Sequence, residues 1–175
     1  QLKVRMEFPT NRYLTTVCMP AWSPGSYVLR DGYKSVLDFS ATTQDGKPIE
    51  TVQSNERWRL STEKGTNVVV TYSLPQVLAD GAISFSGPTT YMYVEGRTQE
   101  ECRLNLDFPA DFRVAIGLVP QGNGWNYSTK TYDVLADNPV SAGDLLIDEY
   151  NVAGKTMTIA MRNASKAFVD RKVLI

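Results

Sequence analysis

In the stretch Trp58-Arg59-Leu60-Ser61-Thr62-Glu63-Lys64-Gly65-Thr66-Asn67-Val68-Val69-Val70-Thr71-Tyr72-Ser73-Leu74, apolar side chains recur at alternate positions on both sides of a Lys64-Gly65 turn signal. Period two is the spacing of side chains along one face of a β-strand, and a glycine allows the positive φ of a tight turn. The segment predicts two strands joined as a hairpin, with Trp58, Leu60, Val68, Val70 and Tyr72 directed into a core.

The same alternation runs outward in both directions. Upstream lie Leu2, Val4, Met6 and Phe8, then Leu14 to Met19, then Leu37, Phe39 and Ala41 before an Asp45-Gly46 turn. Downstream come Tyr91 and Tyr93; Leu104, Leu106 and Phe108; Phe112, Val114 and Ile116; Tyr132 to Leu135; Leu145 to Val152; and, past Ala153-Gly154, Met157, Ile159 and Met161. Roughly ten to twelve short strands between turn residues predict an all-β fold, an antiparallel β-sandwich with little helix. Helical turns are expected only near Tyr33 to Val36, around Gln99 to Cys102, and from Ser165 onward. No linker, repeat or low-complexity tract divides residues 1–175, so a single domain is expected. The start at Gln1 and the end at Arg171 to Ile175 read as the ends of a piece cut from a longer chain or of a processed form.

Composition narrows the chemistry. The 175 residues are 42% hydrophobic and 21% charged with a net charge of −1, an ordinary globular balance. Eighteen basic residues offset by nineteen acidic ones give no surplus for binding phosphates, so nucleic acid is not an expected partner. No apolar run reaches the roughly 18 residues of a membrane-spanning helix. The chain has no histidine, which removes a histidine general base, a Ser-His-Asp or Cys-His nucleophile, and a His-ligated zinc. Cys18 and Cys102 are too few for a thiolate zinc site and read best as free thiols, although an oxidising compartment would allow a long-range disulfide between them. No catalytic or metal-ligating set is therefore expected in this chain, and no cofactor of its own.

Other motifs read as scaffolding. Gly122-Asn123-Gly124 lacks the third glycine and the following helix of a phosphate-binding loop. Asp144, Asp148 and Glu149 are close in sequence, as calcium ligands are, yet solvated acids on a strand are the plainer reading. Trp22 and Trp125 fall in loops, where aromatic faces are free to meet a sugar ring or another protein. A free-standing carbohydrate- or protein-binding sandwich is accordingly the alternative reading.

The run Met19-Pro20-Ala21-Trp22-Ser23-Pro24-Gly25-Ser26-Tyr27-Val28-Leu29-Arg30-Asp31 is the most specific motif in the chain. It resembles the P-x-W-x-P-G-S-Y-x-x-R signature of the N-terminal domain of the glycyl aminopeptidase family, peptidase family M61. Tyr91 to Gly96, Leu104 to Leu118 and Tyr132 to Val140 resemble further segments of that domain in the same order. The resemblance implies a β-sandwich that packs on a following thermolysin-like catalytic domain of the same polypeptide. There the H-E-x-x-H zinc ligands reside, and peptide substrate concerns this domain only indirectly. It implies a signature loop or domain interface at Trp22, Pro24, Gly25, Ser26, Tyr27 and Arg30, with Tyr93 and Glu95 facing substrate. Packing of Trp22 and Tyr27, and a bond from Arg30 to Asp31 or Glu95, are expected to order the loop. On that expectation Trp22→Ala costs about 3–5 kcal/mol.

Overall fold

The computed structural model describes residues 1–23 and 28–162. In chain order the elements are β1 (Leu2–Thr10), β2 (Leu14–Cys18), β3 (Leu37–Thr43), β4 (Thr51–Ser54), β5 (Arg57–Ser61), β6 (Thr66–Leu74), β7 (Ala82–Phe85) and β8 (Tyr93–Val94). They continue with β9 (Cys102–Asn105), β10 (Arg113–Ile116), β11 (Asn126–Thr129), a helix α1 (Tyr132–Ala136), β12 (Val140–Gly143), β13 (Leu145–Val152) and β14 (Lys155–Arg162). All pairings are antiparallel, and the all-β expectation holds.

The first half is a two-layer sandwich. One sheet has the order β1-β6-β3 and the facing one β4-β5-β2-β8. β1 shows why the pattern was readable: its even residues turn inward while Lys3, Arg5 and Glu7 stay in solvent. Between the sheets lie Phe8, Val17, Trp58, Leu60, Val68, Val70 and Val94, and the Trp58 ring stacks on Phe39 with centroids 5.2 Å apart. Burying such side chains is the main term holding the layers together, at about 1.5–3 kcal/mol for each large apolar residue.

The expected Trp58-to-Leu74 hairpin does not form. β5 pairs with β2 and β4, whereas β6 pairs with β1 and β3, so the Lys64-Gly65 turn carries the chain from one layer to the other. Trp58 and Leu60 face Val68 and Val70 across the core instead of lying beside them. Alternation and a turn residue specify an arch as well as a hairpin; only the choice of neighbour separates the two.

The second half builds a smaller layer from a sheet ordered β10-β12-β7, a β11-β9 pair and α1. Its core contains Phe85, Tyr91, Tyr132, Leu135 and Val140. Tyr132 to Leu135, expected as a strand, is helical because Thr131 caps it: its Oγ1 accepts the Val134 N–H at 3.4 Å, and Asp133 lies in the first turn. Gln99 to Cys102 is a turn rather than a helix, since β9 already begins at Cys102. The Tyr33 region is a short 3-10 helix, Gly32–Ser35, and the expected helix from Ser165 lies outside the described residues. Cys18 and Cys102 are free, the first buried and the second half-buried.

The β13-β14 hairpin turns at Ala153-Gly154, with φ of 51° and 78°. At its base the Arg113 guanidinium donates to the Leu145 carbonyl at 3.1 Å. No helix among the described residues is long and apolar enough to cross a membrane.

Candidate interaction face

The signature loop follows β2, and the outer face of the sheet that contains β2 carries a cluster of polar groups. Pairing places Arg57 beside Cys18 and Cys18 beside Tyr93, while Arg59 lies beside Thr16 in the next row. The Glu95 N–H donates to the Thr16 carbonyl at 2.9 Å, which sets Glu95 one residue beyond β8. Gly96, at φ 77°, then turns the chain away, a conformation that favours glycine. Arg57 and Glu95 form an ion pair whose side chains are 39% and 46% exposed. At that exposure the pair adds little stability. Its consequence is to orient the half-exposed Glu95 carboxylate on the outer sheet face.

Beside this pair, in the row that Arg57 shares with Cys18 and Tyr93, the neighbouring groups are neutral. Burial pushes the Cys18 thiol up and is also the main reason the Tyr93 phenol is raised. Tyr93 lies beside Cys18 across the β2-β8 pairing, and its ring rests on Tyr132 with centroids 5.1 Å apart. Tyr93 is thus a support, and Glu95 is the member of the expected pair that looks outward. A protonated, buried thiol is a poor nucleophile.

The loop rises from the Cys18 end of the same sheet. Its stem is closed by the Met19 N–H donating to Glu56 O at 2.9 Å and the Arg30 N–H to Ala21 O at 2.7 Å. Trp22 is 52% exposed, and Val28 and Leu29 are exposed beyond it. Half-burial changes the expected cost of Trp22→Ala from 3–5 to about 1–2 kcal/mol, measured by urea denaturation. Arg30 makes no ion pair with either carboxylate expected to hold it: among the described residues Asp31 pairs with Lys34 and Glu95 with Arg57. Pro24, Gly25, Ser26 and Tyr27 lie outside the described residues.

Trp125 is half-buried against Phe108, itself stacked on Phe112, with both centroid separations 6.0 Å. It belongs to a local aromatic cluster more than to an open stacking platform. Strand alternation puts Asp148 and Glu149 on opposite faces, so they cannot converge on one ion. Among the described residues no three Cys, Asp or Glu side chains gather. The full sequence has no histidine to add to them. Arg57 and Thr16 were not singled out from the sequence; their signal was the polar alternation opposite Trp58 and Val17, which acquires meaning only once the strands are paired.

The described residues thus form an all-β unit whose β4-β5-β2-β8 sheet carries a half-exposed Arg57–Glu95 ion pair on its outer face. The chain belongs to the peptidase M61 N-terminal domain family, whose model matches residues 1–144. Among solved structures it is similar to an aminopeptidase N family protein from Idiomarina loihiensis, with a TM-score of 0.89 and 26% sequence identity. That match covers 98% of this chain and 32% of the other. Comparison with curated proteins found no match.

Proposed function

We propose that this domain is the non-catalytic N-terminal part of a glycyl aminopeptidase-like zinc metallopeptidase. It packs on the catalytic domain that carries the zinc and forms one wall of the substrate cleft. The observation that supports this reading is Glu95, a half-exposed carboxylate oriented by Arg57 on the outer sheet face. A carboxylate so placed suits the free α-ammonium group at the start of a peptide, and a rigid wall behind it excludes longer N-terminal extensions. Packing on a neighbour is supported by the β13-β14 hairpin, which lies beyond the family match and sets Leu146, Tyr150, Met157, Ile159 and Met161 along one face. Met157 is 51% exposed there.

The test uses the full-length polypeptide and zinc-dependent release of glycine or alanine from short peptides. Removing residues 1–175 is expected to lower kcat/KM by more than tenfold, and Glu95→Gln to raise KM about tenfold, the worth of one charge-assisted hydrogen bond. Full activity without the domain would sink the proposal.

A further inference from the structure

β8 is too short to hold itself in place. Only Tyr93 and Val94 pair with β2, yet the residue that follows is Glu95. The segment leading into β8 is gripped from two layers by buried tyrosine hydroxyls. Tyr72, on β6, donates to the Thr90 carbonyl at 2.7 Å and accepts the Met92 N–H at 3.1 Å. Tyr132, the first residue of α1, donates to the Tyr91 carbonyl at 2.7 Å. Three consecutive residues, Thr90, Tyr91 and Met92, are therefore each bonded through the backbone to a phenol from another element. Tyr72 and Tyr132 are 2% and 7% exposed, so water cannot replace either hydroxyl without opening the core.

We infer that Tyr72 and Tyr132 are positioning residues for Glu95, holding the approach to β8 so that the carboxylate stands at a fixed place on the sheet face. This rests on the reading of Glu95 as the group that meets the substrate's amino end. The phenols suit the task chemically. Burial pushes both well above the usual tyrosine range, so each keeps the proton it donates through the physiological pH range. Tyr132 adds a second restraint by packing its ring on Tyr93, two residues from Glu95.

Tyr132→Phe removes one donor and keeps the ring; Tyr72→Phe is the second variant, should the first fail to fold. In the 175-residue chain, amide hydrogen exchange is followed by NMR at Met92 and Glu95, with Val68 and Val70 in β6 as references. A positioning role predicts at least tenfold faster exchange at Met92 and Glu95 with the β6 amides unchanged. Uniform acceleration, or none at Glu95, would overturn it. In the full-length polypeptide Tyr132→Phe should raise KM about threefold at nearly constant kcat, and the increase should vanish in a Glu95→Gln background. A KM raised by Glu95→Gln but untouched by Tyr132→Phe would also overturn the inference. A KM indifferent to Glu95→Gln would instead remove the substrate-facing reading and with it the inference, even if exchange responds.

Discussion

Trp58→Ala is expected to lower the unfolding free energy by about 3–5 kcal/mol, the range for emptying a core site of a large aromatic side chain. Trp58 is 2% exposed and lies between the two sheets of the sandwich. It stacks on Phe39 at an interplanar angle of 14° and shares its cluster with Leu60, Val68 and Val70. Those neighbours are β-branched or sheet-bound and cannot collapse into the space a tryptophan leaves. A urea titration should show a lower midpoint at an unchanged slope, since the surface exposed on unfolding scarcely alters. Trp22→Ala is the internal comparison: same residue type, same truncation, but a half-exposed site and a smaller loss. Equal losses at the two positions would mean that the sandwich core is not where the packing energy resides.

That contrast shows which layer of the fold could be read in advance. Period-two alternation marked the inward residues of β1, β5 and β6 because burying one face of a strand constrains composition at every second position. Turn chemistry marked Asp45-Gly46, where Gly46 adopts φ 88° and its N–H donates to Thr43 O at 2.9 Å. Pairing was not legible. Trp58 and Val68 look the same whether their strands are neighbours in one sheet or opposed across two, and loop length decided neither. α1 was missed because Tyr132, Val134 and Ala136 imitate a strand, while the deciding bond comes from a threonine outside that run. The site was legible in part. Glu95 lay in a segment with family resemblance, but its partner Arg57 is 38 positions away in sequence and meets it only through the β2-β5 and β2-β8 pairings.

Gly87→Ala is expected to be nearly as damaging as the loss of Trp58, although the change is a single methyl group. Gly87 is buried and opens a 3-10 helix, Gly87–Thr89, whose first carbonyl accepts the Thr90 N–H at 2.9 Å and the Tyr91 N–H at 2.7 Å. A Cβ there would run into the Ala136 carbonyl oxygen and stand 2.5 Å from the Ala136 Cα. The obstacle is backbone at the end of α1, not a side chain that can rotate aside. Relief requires the 3-10 helix and α1 to separate, which draws the Tyr132 hydroxyl away from Tyr91 and strips two buried polar groups of their bond. Overpacking typically costs 1–3 kcal/mol, and the lost hydrogen bond raises the expected total to about 3 kcal/mol or more. Gly46→Ala isolates the effect of geometry. Its φ of 88° also disfavours alanine, but no atom lies within 4 Å of the added methyl, so about 1 kcal/mol is expected. Denaturation of the two variants side by side separates close approach from backbone strain. If Gly87→Ala cost no more than Gly46→Ala, α1 would not be seated against the Gly87 turn, and the grip on the approach to Glu95 would lose one of its two anchors.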